Sequence, residues 1–317
     1  MSYAQYGTIQ AADYNTFVGA NPGGTANALN TVWATGTGAA GYGQTAEANV
    51  AVGDTVTAAK WANLITKTSN SASHQSSSIT SVTVPAAGAT ITYNANVVTN
   101  LQTIYTNRLN AVSQSGTTAN TASYGSTWIN AITFTHTVTF ANGDAARYFF
   151  NSGGQLAISC YHPAGTPINN LVSGLASNIG TVVLSAPTTG TATIAGTSYN
   201  GVTKIGNTGS TPTISTNSGY YAWGTANANV FYQTASGGTI PLYLSTNINI
   251  FVKTNGTQGS NGDKGNVITI YTVWDEIPNG LVVSTGSNTT VTIRPPETTY
   301  IANSWGTPTV SGTVTGS

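Results

Sequence analysis

The segment from Ile132 to Phe140 constrains the fold most strongly, because its apolar residues recur at every second position. The positions between them carry Thr133, Thr135, Thr137 and Thr139. Successive side chains of a β-strand point to opposite faces of the sheet. This period of two therefore predicts a half-buried strand with one threonine face.

Short runs of apolar and β-branched residues predict six further strands, at residues 155–161, 181–185, 229–234, 241–253, 266–274 and 289–294. Clusters of Gly, Asn and Ser separate these runs, as in residues 254–262. Many short strands joined by turns of this kind indicate an antiparallel β-sandwich. One helical turn is predicted to interrupt the strands near residues 169–177.

The first part of the chain follows a different pattern, because its apolar residues recur at helical spacing. This spacing predicts one helix over residues 96–112 and another over residues 58–71. Trp61 lies on the apolar face of the second helix, and Thr57 is its predicted N-cap. The glycine-rich, low-complexity stretch 21–44 is predicted to be a loop.

These patterns predict an α+β protein that is mainly β, with a small helical N-terminal region followed by an antiparallel β-sandwich. A chain of 317 residues is long enough for two domains. Residues 1–125 form the predicted helical, loop-rich region, which would anchor or oligomerise the protein. Residues 126–317 form the predicted antiparallel β-sandwich domain.

A short internal repeat relates Gly7–Val18 to Gly53–Ile65. Both copies carry extended residues, then Ala-Ala, an aromatic residue and two apolar residues. This pattern predicts that each copy starts a helix whose aromatic residue anchors it in a common core. Two copies are too few for a solenoid.

The chain is unusually poor in charge, since only 5% of its residues are Asp, Glu, Lys or Arg, where an ordinary soluble domain carries about 25%. Thr, Ser, Asn and Gly must supply the polar surface instead. Burying such residues loses less hydration and side-chain entropy than burying Lys or Glu, which costs about 1.5–2 kcal/mol in entropy alone. The composition therefore favours extensive contacts with copies of the chain or with other proteins.

Composition also argues against nucleic-acid and membrane partners. Eight basic and eight acidic residues give a formal net charge of zero, and the basic residues are scattered, whereas phosphate binding needs clustered cations. No stretch approaches the roughly 20 apolar residues of a membrane helix. Because the first residues lack the basic start and apolar run of a secretory signal, we expect assembly inside a cytoplasm.

Motifs for cofactor and phosphate binding lack their structural context. The segment Gly36–Gly41 satisfies the GxGxxG spacing, which binds dinucleotides only between a strand and a helix that starts at the third glycine. Tyr42-Gly43 would break that helix, so a flexible loop is the preferred interpretation. No GxxxxGK[ST] run and no GxSxG elbow occur.

The candidate metal ligands are few. Cys160 and His162 could supply two zinc ligands, but no second pair exists at zinc-site spacing. The single cysteine excludes an intrachain disulfide, and a buried thiol at the end of a strand is its expected state. His136 is expected on a sheet face, hydrogen-bonded to a threonine or to a neighbouring subunit, while His74 has no ligand-type neighbour.

Acid-base catalysis has equally little support. Asp275-Glu276 is the only adjacent acidic pair, and a glycosidase needs two opposed carboxylates about 5–9.5 Å apart. Asp144 or Asp263 could meet Asp275 across the fold, or a loop acid could bind calcium. The sequence therefore identifies no catalytic, cofactor-binding or metal-binding residue and predicts a protein that is not an enzyme.

Exposed aromatic residues at Tyr220, Tyr221 and Trp223 could stack on sugars, although packing in a core or an interface is the commoner use. Stacking on sugars would suit a receptor-binding or adhesin module.

The segment Asn142–Leu156, with Phe149-Phe150-Asn-Ser-Gly-Gly154 at its centre, resembles a segment of tailed-bacteriophage virion structural proteins. In those proteins a threonine-rich strand, here Ile132–Phe140, precedes it and another strand follows. The Trp61–Ile65 run and the Asn303–Pro308 run are further similarities. Two adjacent aromatics on a strand would point to opposite faces and join two layers, with a reversal at Gly153-Gly154. Arg147 is predicted to pair with Asp144.

The resemblance implies a non-enzymatic subunit of the phage tail, the baseplate or an attached fibre or whisker. Its expected partners are copies of itself, as a trimer or larger assembly, and other virion proteins, with host surface glycan as a further possibility. The expected location is the virion, assembled in the host cytoplasm. A glycan-recognising receptor-binding module and a capsid decoration protein are the alternatives. No cofactor is implied.

Overall fold

The computed structural model describes residues 10–19, 28–89, 91, 95–207, 211–235, 245–257, 265–275 and 281–316. Six α-helices lie within these residues: α1 Ala11–Val18, α2 Leu29–Val32, α3 Ala58–His74, α4 Ala95–Thr106, α5 Gly143–Asn151 and α6 Pro167–Ile179. The same residues form thirteen strands: β1 Thr118–Ser123, β2 Ile132–Thr139, β3 Gln155–Tyr161, β4 Thr181–Leu184, β5 Ala192–Ile194, β6 Thr197–Tyr199, β7 Val202–Ile205, β8 Thr213–Ile214, β9 Ala228–Thr234, β10 Asn247–Thr254, β11 Val267–Asp275, β12 Asn288–Arg294 and β13 Thr309–Gly316. The fold is α+β and mainly β.

Two antiparallel sheets stack into a sandwich. One has the strand order β1-β12-β3-β4-β7, and the other has the order β13-β2-β11-β10-β9-β8. At one side of the sandwich β1 lies against β13 and β2. Elsewhere α6 lies against β3 of the first sheet and against β9 and β10 of the second. A small hairpin of β5 and β6 completes the described strands.

The predicted strands with strong alternation are confirmed. In β2 the apolar positions and His136 are buried while the threonines are half-buried or exposed. β3 has the predicted bounds, and β4, β9, β11 and β12 differ from prediction by one residue at one or both ends. The predicted strand 241–253 is β10 from Asn247 onward, and residues 241–244 lie outside the described residues.

Five of the unpredicted strands, β1 and β5–β8, are short, and the sixth, β13, is rich in Thr, Ser and Gly. These strands carry few large apolar residues, so the alternation that predicts β2 is weak in them. Tertiary pairing with a stronger neighbour forms them instead, as when β13 pairs with β2 along its whole length.

Helices α3 and α4 confirm the helical N-terminal pattern. Helix α3 begins at Ala58, where Thr57 Oγ1 accepts a hydrogen bond from Lys60 N, and it continues to His74. Helix α4 ends at Thr106, six residues before the predicted end. The helical periodicity continues to Val112, but Val112 N donates to the carbonyl of His74 at 2.6 Å, a tertiary contact that replaces a further helical turn.

The internal repeat has a structural counterpart. Helices α1 and α3 both begin at the Ala-Ala of their copy, and both aromatic residues, Tyr14 and Trp61, are buried. The two copies also contact each other, since the rings of Phe17 and Trp61 pack edge to face with centroids 6.0 Å apart. The stretch between them contains α2, so the prediction of loop throughout residues 21–44 is wrong for Leu29–Val32.

The prediction that Phe149 and Phe150 lie on a strand is wrong, because they lie on α5. Asn142 Oδ1 accepts from Ala145 N at 2.8 Å, which caps this helix and starts it directly after β2. Both rings are nevertheless fully buried, because α5 is enclosed by protein on more than one side. The predicted reversal is present, since Gly153 has φ +91 where the chain turns into β3.

An aromatic cluster joins α5 to the sandwich. The rings of Phe140 and Phe149 have centroids 5.2 Å apart, and Phe150 stacks on Tyr220 at 4.4 Å with an interplanar angle of 15°. Trp223 packs edge to face on Phe150. Such pairs add about 0.5–1.5 kcal/mol each to the free energy of burying their surface.

We predict that Phe150→Ala lowers the free energy of unfolding by about 3–5 kcal/mol, because it leaves a cavity at the centre of this cluster. Urea denaturation followed by tryptophan fluorescence measures the change. Val52→Ala is the control, since Val52 is 99% exposed and should change stability by less than about 0.5 kcal/mol. Equal effects of the two substitutions would contradict the central role of the cluster.

Candidate functional site

The GxGxxG loop is a packing element rather than a phosphate cradle. Asn151 Nδ2 on α5 donates to the carbonyls of Gly38, Ala40 and Gly41 at 3.0–3.2 Å. The preceding element is the short helix α2, and residues 42–57, all of them described, contain no helix. The loop carbonyls point toward α5, an arrangement that suits amide and guanidinium donors and not a phosphate.

Arg147 secures the same loop from within the protein. Its Nη1 donates to Ala40 O at 3.0 Å, and its Nη2 lies 2.9 Å from Asp144 Oδ1, which confirms the predicted ion pair. The Arg147 side chain is 1% exposed, so this pair is far more buried than a surface pair. The Tyr221 hydroxyl lies 2.6 Å from Asn151 Oδ1 and 2.8 Å from Gly38 O.

Of the three aromatic residues that suggested sugar stacking, Tyr220 and Trp223 are buried in this core, and Tyr221 is half-buried with its hydroxyl bonded to Asn151. Tyr220 is 0% and Trp223 is 3% exposed, and Trp223 Nε1 donates to Ser218 O. The interpretation of these residues as a sugar-stacking platform is therefore wrong, and the alternative of core packing is confirmed.

The three histidines are buried in separate places. His74 Nε2 lies 3.0 Å from Ser152 O, and His162 Nδ1 lies 2.9 Å from Ser287 Oγ. His136 faces the interior of the sandwich opposite Gly312, so it does not meet a neighbouring subunit. Within the described ranges no three His, Cys, Asp or Glu side chains come together as a metal site would require.

Cys160 is a free, half-buried residue on β3, with Sγ 4.0 Å from Thr289 Oγ1. Burial raises the pKa of its thiol to about 12. It is therefore protonated at neutral pH, whereas metal binding and nucleophilic attack both require the thiolate.

Among the described acids, Asp275 and Asp144 do not converge. Asp275 ends β11 beside the start of β2, because Trp274 pairs with Ile132, whereas Asp144 follows the far end of β2. A strand rises about 3.3 Å per residue, which separates these two acids by more than about 20 Å and excludes a glycosidase pair. Asp263 and Glu276 lie outside the described residues.

A cavity of about 230 Å³ lies between α3, residues 79–82 and α4. Leu64, Ile79 and Val97 line it, and no titratable side chain does. The amide of Asn100, which also lines it, already bonds to the backbone of Thr80 through both of its polar atoms. The remaining polar groups that line the cavity are the hydroxyls of Thr68, Ser69, Thr80 and Ser81, so it holds no charged or titratable group for catalysis.

The outer surface of the six-stranded sheet carries a distinctive array. Here β2 and β13 lie side by side, and their outward residues form what we call the hydroxyl face: Thr133, Thr135, Thr137, Thr139, Thr309, Ser311, Thr313 and Thr315. Neither strand has a charged residue. The hydroxyl face is therefore polar but uncharged, and burying it loses less hydration than burying charged side chains would.

No strand among the described residues pairs with the outer side of β13, an edge of this sheet that we call the open edge. β13 is eight residues long, has no Pro or charge, and pairs with β2 without a bulge. The neighbouring edge strand of the other sheet, β1, is also free of charge. Natural proteins usually guard such edges with Lys, Pro, bulges or short strands.

On the opposite side of the sandwich, the sheet edges have the short strands, the lysine and the register irregularity that usually guard an edge. Its edge strands are β7, with four residues, and β8, with two. Lys204 on β7 donates to Gln233 Oε1 on β9 at 3.1 Å and so links the two sheets. A register shift interrupts the pairing of β9 with β10 between Ile250 and Phe251. The same sandwich thus guards one side and leaves the other open.

Sequence reasoning missed the open edge, although a signal was present. Between Pro308 and Gly316, Val310 and Val314 alternate with Thr and Ser, the same period of two that identifies β2. The alternation is weaker than in β2, because the apolar positions of β13 hold only two valines among small residues.

Comparisons with known proteins found no matching family model, no matching curated protein and no matching solved structure. Among the described helices, none is both long and apolar enough to span a bilayer.

We predict that stability falls as the pH drops from about 6.5 to about 4, because burial lowers the pKa of His74 to about 4. Protonation then favours the unfolded state, in which a histidine has its usual pKa near 6.5. The lowered pKa means that His74 contributes about 3 kcal/mol to the free energy of unfolding when the pH is above its unfolded-state pKa. This contribution is lost as the pH falls through its folded-state pKa. Burial also lowers the pKa values of His136 and His162, in the same direction.

Urea denaturation between about pH 7 and about pH 4 tests this, with His74→Gln as the comparison. The variant should lose less stability on acidification than the wild type. Nitrogen chemical shifts of the His74 ring provide a direct reading, and titration near pH 6.5 in the folded protein would refute the prediction.

Proposed function

We propose that this chain is a non-enzymatic structural subunit of a tailed-phage virion, in the tail, the baseplate or an attached fibre or whisker. It would act through contacts with copies of itself and with other virion proteins. The observation that carries the proposal is the uncharged hydroxyl face with its open edge. Burying a large surface of hydroxyl and backbone groups loses little hydration and little side-chain entropy, so such a surface suits permanent subunit contacts.

The segment that resembles phage virion proteins supports the proposal from a second direction. Helix α5 and the turn at Gly153 form most of that segment, and they hold the aromatic cluster and the Gly36–Gly41 loop together. The residues that carry the resemblance are packing residues in this structure, which suits a structural scaffold better than a reaction.

Sedimentation velocity and negative-stain electron microscopy of the purified chain test the proposal. Rings, trimers or filaments of regular size are the expected result. A strict monomer at high concentration that binds no other virion protein would refute it. A monomer that binds the capsid would favour a decoration protein, and one that binds only host glycan would favour a receptor-binding module.

We further predict that the assembly persists at high salt. Its contacts would use hydroxyl and peptide groups, and the Debye length of about 3 Å at 1 M salt screens ion pairs but not hydrogen bonds. The sedimentation coefficient should therefore stay the same between about 0.1 M and about 1 M sodium chloride. Dissociation on adding salt would show that ion pairs hold the subunits together.

A further inference from the structure

The pairing of β2 shows which backbone groups of β13 point away from the sheet. Phe140 N donates to Asn266 O on the β11 side at 2.9 Å, so even-numbered residues of β2 bond toward β11 and odd-numbered ones toward β13. Thr309 pairs with Thr139. The odd-numbered residues of β13 therefore bond to β2, and the even-numbered ones direct N–H and C=O outward.

Val310, Gly312 and Val314 lie in the middle of the open edge, and their backbone N–H and C=O groups point away from β2. Their outward peptide groups bond to no residue in the described part of the chain. A row of alternating donors and acceptors at a fixed spacing is matched best by another β-strand. The open edge is thus chemically a site for strand addition.

The sequence of β13 identifies the strand that fits. From Thr309 to Thr315 it reads Thr-Val-Ser-Gly-Thr-Val-Thr, which is nearly the same in both directions about Gly312. Antiparallel pairing with an identical strand would place valine beside valine on the inner face and hydroxyl beside hydroxyl on the outer face. Matched cross-strand pairs of this kind are favourable.

We propose that β13 pairs with β13 of a second copy of this chain, antiparallel and two-fold about Gly312, so that two six-stranded sheets join into one. This inference rests on the proposed function and specifies one of its interfaces. An interface in which the same patch serves both copies is the usual arrangement in symmetric dimers.

Glycine at the two-fold position has a structural reason. A Cβ on Gly312 would lie 2.5 Å from Asn120 Oδ1 and 2.9 Å from Ala122 Cβ, both on β1. Glycine therefore lets β1 lie close beneath β13 and brings the edges of both sheets to the same side. The outward residues of β1, among them Thr121, are uncharged as well, so no charge on β1 or β13 repels a second copy.

Charge substitution at exposed positions tests the register. In the proposed pairing Ser311 lies beside Thr313 of the second copy, and both side chains are exposed. The double variant Ser311→Lys, Thr313→Lys places a lysine opposite a lysine in both of the Ser311–Thr313 pairs that the two-fold axis relates. We expect this repulsion to weaken self-association at least about tenfold. Ser311→Lys with Thr313→Glu puts opposite charges in those places and should retain association.

The matched control adds the same charge elsewhere. Ser198 and Thr225 are exposed and lie away from β13, so Ser198→Lys with Thr225→Lys should leave association unchanged. Circular dichroism confirms that each variant is folded. Equal loss of association in the control, or no loss in the Ser311 and Thr313 lysine variant, would overturn the inference.

Cysteine cross-linking gives an independent measurement of the same pairing. Ser311 and Thr313 of the second copy would be a non-hydrogen-bonded pair with Cα atoms about 4.5 Å apart, which suits a disulfide. A mixture of Ser311→Cys and Thr313→Cys chains should form a disulfide-linked dimer under mild oxidation. Two controls should form no such dimer: the wild type, which retains Cys160, and a mixture of Ser311→Cys with Thr309→Cys chains. If the second mixture cross-links to the same extent, the proposed register is refuted.

The outcomes separate this inference from the proposed function. If the wild type assembles and the lysine variant assembles equally well, β13 is not the interface while the structural role stands. If the wild type is a monomer that binds no virion protein, both fail. Dissociation by the two lysines together with the expected cross-link supports both.

Discussion

The burial of α5 is the contact on which the arrangement of the other elements depends. One helix of nine residues presents Phe149 and Phe150 to the sandwich and directs Arg147 and Asn151 toward the Gly36–Gly41 loop. Helix α5 therefore joins the sandwich to the N-terminal loop by two kinds of contact, apolar burial on one side and charge-assisted hydrogen bonds on the other. The larger of two hydrophobic clusters accordingly includes residues from both regions, among them Tyr14 and Trp305.

Much of the sandwich could be predicted from sequence, because strands such as β2 and β11 alternate large apolar residues with polar ones. The prediction failed where one local pattern suits two structures. Adjacent Phe149 and Phe150 fit a buried strand as well as an enclosed helix, and only the cap at Asn142 distinguishes them. The helix predicted through residue 112 failed for another reason, since a contact with the distant residue His74 ended α4 earlier.

The candidate site was harder to predict, because its chemistry is carried by the backbone. Function is most readily recognised from titratable or metal-binding side chains that converge, and here His74 and Arg147 are buried in separate packing roles. The groups that remain available at the open edge are peptide N–H and C=O groups, which every residue has. Their availability depends on which strand happens to lie at the edge of a sheet, and pairing order is a property of the fold.

The long separation between β2 and its edge partner has a consequence for the timing of folding. More than half of the chain lies between Thr139 and Thr309, which pair directly. During synthesis β2 therefore leaves the ribosome long before β13, and contacts so distant in sequence form slowly. The open edge exists only after β13 has paired with β2. If two copies pair through this edge as proposed, a growing chain cannot join another copy before β13 has been synthesised and placed.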